Sequence, residues 1–301
     1  MNKLIILSSK YYSDSETRNY GDCILIDTGM ELIIYDCGSI EHAYQVIKYM
    51  DENHYSQAKL ILSHNDSDHS DGIMTLLNNQ KLSTIYTTLL LKYKDKILDK
   101  IDDNRKTKNS VSNQIIELYD NIAKLTGAPL IDIYETDNEI CTGVSIVGPD
   151  KEYMLDSVAK HLDGREGNEM DGETAVNATS IQIEVSFGKS KLLLCGDCSY
   201  AAIEDKIQNY QIIQLPHHGK KHQAELIFAK KSHQPDTMYL ISDNTGSSNG
   251  GSDNLNTKGH RVKNTKNNPN IVIDNNSFNA NSFLTNKCLG IGNALFFTRK
   301  L

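Results

Sequence analysis

No apolar run in this 301-residue chain approaches the roughly 20 residues that a membrane-spanning helix needs, so no bilayer span is expected. The apolar LIIL at residues 4–7 is too short for the core of a secretion signal, and Lys10 closes it. Cysteine is sparse: six residues, scattered without the density of a disulfide framework, suit a reducing cytoplasm. Positive charge is in deficit. A formal net charge of −8 argues against non-specific nucleic-acid binding over the whole surface, although it leaves room for a local basic groove. Basic residues do gather at Lys92/Lys94/Lys96, at Arg105/Lys106/Lys108 and from Lys258 to Lys266 with His260 and Arg261, and each cluster alone reads as solvated surface charge. Internal repeats of 20–50 residues and linker-like breaks are also missing. A single domain over 1–301 is the simplest division, with 92–140 as a helical elaboration.

What is present is an alternation of strand-like and helix-like segments. Residues 4–7, 23–27 and 32–35 read as strands, with Thr28-Gly29 as a turn. Ala43, Val46, Ile47 and Met50 share one helical face. Strands are expected at 60–62 and 85–91, and a longer helix from Ser110 carries Val111, Ile115, Leu118, Ile122 and Leu125 on one stripe before Gly127. A short strand at 144–147 stops at Gly148-Pro149, and the polar, acidic stretch 159–177 reads as a mobile loop. Ile181, Ile183, Val185 and Phe187 alternate with polar partners and turn at 188–190 into a returning strand at 191–195. A helix through Ile203 and Ile207, a strand at 212–215, a helix near 223–231 and a strand at 238–241 follow. A loop rich in Gly, Ser and Asn spans 244–256.

Three of these strands end in side chains that bind metals. Residues 60–72, LILSHNDSDHSDG, place His64, Asp66, Asp68 and His69 within six positions after an apolar run. An EF-hand reading fails, because the sixth and twelfth positions counted from Asp66 are Asp71 and Leu77 rather than Gly and Glu. The plainer reading is an acidic turn with Asp71 capping the next helix, but a cap needs one carboxylate, not three flanked by two histidines. The run 192–199, LLLCGDCS, brings Asp197 to a strand's carboxyl end, and QLPHHGK at 214–220 does the same for His217 and His218. The spacing Cys195-Gly-Asp-Cys198 also has the look of a thiol redox motif, for which Cys198→Ser would abolish function. It leaves the other two sets unexplained. A zinc ribbon lacks its second CxxC. One dinuclear metal site, built where strands of a sheet reach one edge, accounts for all three sets.

The chain resembles the metallo-β-lactamase fold superfamily, and within it most the ComEC-type branch, the hydrolase domain of the competence DNA-uptake protein. The resemblance rests on Gly21-Asp22-Cys23-Ile24-Leu25-Ile26, on Ile34-Tyr35-Asp36-Cys37-Gly38, on SHNDSDHSDG, and on Val147-Gly148-Pro149 followed by 177–180 and the hairpin. Leu215-Pro216-His217-His218-Gly219 and Pro235-Asp236 through Ile241-Ser242 complete it in order. It implies an α/β chain folded as an αββα sandwich with two divalent cations, Zn²⁺ or Mn²⁺, at one edge. Site one would use His64 and Asp66, and site two Asp68, His69 and His217. Asp197 would bridge the two, with Asp36 and Asn177 behind the ligands and His218 free to touch substrate or donate a proton. Asp66 stands where the superfamily usually has a second histidine, and Asn177 lies near where a third site-one histidine would be. Both changes favour hard, oxygen-seeking cations.

The function implied is metal-dependent hydrolysis of a phosphodiester, in nucleic acid or a nucleotide, by a hydroxide between two metals that Asp68 orients. Two alternatives stay open: hydrolysis of a carbonyl substrate (lactone, thioester or amide) on the same site, and a metal-bound interaction or signalling module with little turnover.

Overall fold

In a computed structural model that describes residues 3–10, 12, 21–125, 128–164, 169–244, 251–266 and 268–278, the alternating apolar residues build two seven-stranded sheets. The chain first lays down β1 (Lys3–Ile6), β2 (Ile24–Asp27), β3 (Leu32–Tyr35), β4 (Ala58–Ile61), β5 (Leu82–Thr87) and β6 (Leu130–Asp132). It continues with β7 (Glu139–Cys141), β8 (Val144–Gly148), a two-stranded hairpin of β9 (Glu169–Met170) and β10 (Glu173–Thr174), then β11 (Gln182–Phe187) and β12 (Ser190–Leu194). After β13 (Ile212–Gln214), β14 (Met238–Ile241) and β15 (Arg261–Asn264), β16 (Ile271–Ile273) returns to the first sheet. The sheet orders are β16-β1-β2-β3-β4-β5-β6 and β15-β14-β13-β12-β11-β8-β7.

Side chains on both faces of these strands are buried, as period-two alternation demands of sheets covered on each side. Ile33 and Tyr35 of β3 point between the sheets with Leu192 and Leu194 of β12 and Met238 and Leu240 of β14. Their neighbours Leu32 and Ile34 face the helices Ile40–Glu52, Ile73–Asn78 and Lys108–Leu118, whereas Leu193, Ile213 and Tyr239 face the helix Lys221–Lys230 on the far side. Each such side chain contributes about 1.5–3 kcal/mol of burial. The four layers are an αββα sandwich. Among the described residues no helix is long and apolar enough to cross a membrane.

In each sheet the strands earlier in the chain pair antiparallel and the later ones parallel, except that β16 returns to pair antiparallel with β1. The parallel pairs β3/β4 and β12/β13 therefore bring successive strand carboxyl ends side by side. The two pairs of ends also meet across the sandwich. A Cβ on Gly196 after β12 would lie 3.0 Å from Ser63 Cβ after β4 and 3.0 Å from the Tyr35 hydroxyl that ends β3.

Several segments differ from the sequence expectation. Residues 151–163 form a helix, Lys151–Asp163, capped by the Asp150 carboxylate at one end and left-handed Gly164 at the other. Met154, Leu155, Val158 and Leu162 are buried along it, and their spacing was hidden by the polar residues between them. The rest of the expected loop holds β9, β10 and the turn Ala175–Ala178, while 165–168 lie outside the described residues. The strand expected at 85–91 runs Leu82–Thr87, then tightens into a 3₁₀ turn, Leu90–Tyr93, because the Asp132 carboxylate takes the Leu89 N–H and the Tyr93 hydroxyl. Ile203 and Ile207 lie in and beside two short 3₁₀ turns rather than one helix. The helix begun near Ser110 breaks at Tyr119, and β6, β7, β15 and β16 were not anticipated. Residues 245–250 of the expected surface loop, and Gly127, lie outside the described residues.

Candidate metal centre

The chain after β4 passes through Ser63, His64, Asn65 and Asp66 into a single helical turn, Ser67–Ser70, which projects Asp68 and His69. Two neighbouring segments hold this loop by its backbone. The Asp68 carbonyl accepts the Asp22 N–H at 2.9 Å, and a Cβ on Gly21 or Gly38 would lie 1.5 or 1.8 Å from that same oxygen. The glycines of the GD and DCG segments are thus needed for the loop to approach. Asn65 bolts the other side. Its amide donates to the Leu118 carbonyl and accepts from the Ile122 N–H.

Asp36, with a left-handed φ of 60°, turns its buried carboxylate under the loop. Oδ1 accepts the Ser63 N–H at 2.7 Å, and Oδ2 accepts His69 Nδ1–H at 2.8 Å. On the second sheet, Asp197 follows left-handed Gly196, whose N–H and that of Cys195 are taken by Gln214 Oε1. The Asp197 carboxylate is 2% exposed. After β13, Pro216 stops the strand, and His217 and His218 both adopt left-handed backbone, with φ of 51° and 54°.

Four imidazoles converge on Asp197. Nε2 of His69 stands 3.4 Å from Oδ1, and Nε2 of His64, His218 and His217 stand 3.9, 3.9 and 4.0 Å from Oδ2. For three of them the other ring nitrogen donates to an oxygen that only accepts: His69 to Asp36, His218 to the Ser242 carbonyl at 2.9 Å, and His217 to Glu173 Oε2 at 2.6 Å. That pairing puts a proton on Nδ1 and leaves Nε2, turned toward Asp197, as the atom that a second proton or a cation would take. His64 Nδ1 shares a hydrogen bond with the Ser63 hydroxyl, and its Nε2 lies 3.6 Å from Asp66 Oδ2. Asp68 Oδ2 lies 3.0 Å from His218 Nε2 and 4.0 Å from His69 Nε2.

The donor set fits a divalent cation. His64 Nε2, His69 Nε2 and Asp197 Oδ1 are buried without a hydrogen-bond partner, a costly arrangement unless another group satisfies them. Among the described residues, the groups close enough to share an ion are His64/His69/Asp197, Asp68/His69/His218 and Asp22/Asp197/His218. Burial opposes charge on His69, but Asp197, Asp36 and Asp68 outweigh it and hold the imidazole well above its usual pKa. His218 is raised in the same way by Asp197 and Asp22. Burial would raise Asp197, yet His69 and His218 keep it well below the usual carboxylate range. Concentrated negative charge here demands positive charge, which protons supply on the imidazoles and a cation would supply in their place.

Each expected site residue can now be placed. His64, Asp66, Asp68, His69, Asp197, His217 and His218 cluster within about one ligand's reach of one another, with Asp36 behind His69. Asn177 is buried, with Nδ2 3.5 Å from His217 Nδ1 and its backbone N–H donating to the Thr174 hydroxyl oxygen. The adjacent histidines separate: His218 falls in the close ligand groups, and His217 does not. Sequence reading did not single out Asp22 as a site residue, although the GD motif carried it, and it missed Glu173, which no motif marked. Cys195 and Cys198 are fully buried, and desolvation pushes the Cys198 thiol well up, the opposite of a reactive thiolate.

No protein-family profile matches the chain, and no curated sequence relative matches it. Solved structures do. The metallo-β-lactamase fold protein YhfI from Bacillus subtilis is 13% identical over 91% of this chain and 100% of that one, with a TM-score of 0.53. Tm1679, described as a metal-dependent hydrolase of the β-lactamase superfamily, is 15% identical over the same shares, with a TM-score of 0.51. The chain has the metallo-β-lactamase fold.

Proposed function

We propose that the protein is a metal-dependent hydrolase acting on a phosphodiester of nucleotide size. The observation that carries the hydrolase reading is the convergence of imidazole Nε2 atoms on one buried carboxylate, with three of the buried donor atoms left without partners. In this reading His69, His218, Asp68 and Asp197 hold one cation, and His64, Asp66 and Asp197 hold part of a second site. The geometry favours His218 over His217 for the first set, because His218 Nε2 lies 3.0 Å from Asp68 while Ser242 fixes its tautomer. When bound, divalent cations supply Lewis acidity, neutralising phosphate oxygens and easing loss of a proton from water.

The chain's own residues do the rest. Asp36 fixes the His69 tautomer, Ser242 that of His218, and the two glycines seat the loop against Asp22. Asp68, half-buried with a 15% exposed side chain, is more exposed than Asp197 and accepts a proton from an attacking water. Asp66, with a 45% exposed side chain, opens the site to solvent and keeps it oxygen-rich, which suits a phosphate substrate and a Mn²⁺-like ion as well as Zn²⁺. The resemblance of the loop and HHG segments to the ComEC-type branch supports the same reading. A long polyanion is less well served, because much of the basic charge is spent locally. Lys92 pairs with Glu135, Arg105 with Asp103, Lys108 with Asp95 and Lys266 with Asp253.

The test is metal analysis of the purified protein together with bis-p-nitrophenyl phosphate, cyclic nucleotides, single-stranded DNA and a thioester, each with Mn²⁺ and with Zn²⁺. Phosphodiester turnover that Asp197→Asn and Asp68→Ala lose by at least about a thousandfold is expected, the scale on which a key electrostatic group acts. Thioester turnover without phosphodiester cleavage overturns the substrate assignment, and the absence of any bound divalent ion overturns the class.

A further inference from the structure

His217 is placed with more care than a bystander needs. Consecutive residues ordinarily send their side chains apart, yet left-handed backbone at both His217 and His218 brings the two rings to 5.9 Å, steeply inclined, on one carboxylate. Such a conformation is uncommon outside glycine and carries strain at each position. His217 Nε2 faces Asp197 Oδ2 at 4.0 Å, the same oxygen that His64 Nε2 faces at 3.9 Å.

Behind His217 stands Glu173, 1% exposed, on strand β10. Its Oε2 takes His217 Nδ1–H at 2.6 Å, and its Oε1 lies 3.0 Å from Lys220 Nζ and 3.2 Å from Gln223 Nε2. A carboxylate this buried costs free energy to place, which its three partners offset. The hairpin that carries it is clamped to the same helix. Gln223 Nε2 donates to the Asp171 carbonyl at 2.8 Å, and Lys220 Nζ to the Gly172 carbonyl at 2.8 Å. A carboxylate that fixes an imidazole by Nδ1 while Nε2 faces an anionic oxygen is the arrangement that raises ligand basicity and sets ring orientation at metal sites.

We infer that Glu173 is a positioning residue that makes His217 a metal ligand, completing with His64, Asp66 and Asp197 the cation site that lacks an imidazole from position 177. The inference rests on the metal-hydrolase reading. It adds the β9–β10 hairpin to the metal site, so that cation binding and hairpin docking stabilise each other.

The experiment is calorimetric titration of the metal-stripped, full-length protein with Zn²⁺ and, separately, Mn²⁺, for wild type, Glu173→Gln, His217→Ala and, as a control away from the centre, Lys191→Ala. Wild type should bind two equivalents. Glu173→Gln should weaken one of them about 10–100-fold, as loss of a ligand's hydrogen-bond partner does, and leave the other unchanged. His217→Ala should weaken the same equivalent at least as much. Lys191→Ala, which removes only the ion pair with Glu184 at the end of β12 remote from Asp197, should change neither by more than about threefold. Hydrogen exchange of wild type supplies a readout that needs no variant to fold: amides of 169–174 should slow on adding metal more than those of 151–163. If wild type binds no divalent cation, the hydrolase reading itself fails. If wild type binds two and both variants keep both affinities, or if exchange at 169–174 does not respond, the role of Glu173 and His217 is wrong while the reading stands.

Discussion

Asp36 shows how one side chain can be probed without disturbing its backbone. Its φ of 60° is tolerated by asparagine nearly as well as by aspartate, so Asp36→Asn removes the charge on His69 while keeping the turn. Metal affinity should fall about 10–100-fold with the thermal midpoint of the metal-free protein within a few degrees of wild type. A large loss of midpoint with intact affinity would make Asp36 a structural residue. Far from the centre, Asp27 offers a pH probe. Burial pushes its carboxyl up, but hydrogen bonds from Tyr49 and from Tyr55, the latter at 2.7 Å, outweigh it and leave the group below its ordinary value. A carboxyl lowered by folding contributes stability that is complete above the unfolded pKa, about 3.9, and is lost as pH falls through the lower folded value. Tyr55→Phe should therefore cost about 1.5–3 kcal/mol at pH 7, the worth of a hydrogen bond to a charged group, and less at pH 3. Urea unfolding at the two pH values measures it, and a cost that stays constant or grows in acid would contradict the assignment.

At the scale of elements, the loop after β4 depends on strands and turns far from it in sequence. Gly38 has an ordinary φ, so its requirement is purely steric: a methyl group would collide with the Asp68 carbonyl at 1.8 Å. Gly38→Ala should destabilise by about 1–3 kcal/mol or more and weaken metal binding, because the clash falls on the loop's backbone. Gly164 is the contrasting case. It ends a helix with φ of 68° and has nothing within 4 Å of a Cβ, so Gly164→Ala should cost only the left-handed penalty of about 1–2 kcal/mol with metal affinity unchanged. Equal effects on metal binding from the two substitutions would show that the loop is not seated by Gly38. The strands themselves were readable because β3, β12 and β14 are short apolar runs bounded by turns. The helix Lys151–Asp163 was not, because its buried residues are diluted by charged ones and three glycines follow nearby. Glu173 was illegible for a related reason. It sits in a polar stretch where nothing local distinguishes it from its neighbours, and only packing against Lys221–Lys230 gives it partners.

For the molecule as a whole, the centre joins the two sheets, so a cation that binds there stabilises the folded state by mass action. At free metal a hundredfold above Kd the gain is about 2.7 kcal/mol per site. Chelation should then lower the thermal midpoint by about 5–10 °C in wild type and leave Asp197→Asn unmoved, as scanning calorimetry would show. A chelator-insensitive wild type would mean that the donors are satisfied without metal. The amino-acid sequence by itself determined many of the strands, an α/β chain and the set of side chains gathered at strand ends, because hydrophobic period and residue type are local properties; it reached the αββα sandwich through the resemblance of its motifs to a known fold. It did not determine which of two adjacent histidines falls among the closest ligands, or that a glutamate over forty residues upstream holds the other. Those were decided by tertiary structure: left-handed backbone after Pro216 aims both rings at one carboxylate, and partners from separate elements fix which nitrogen each ring presents.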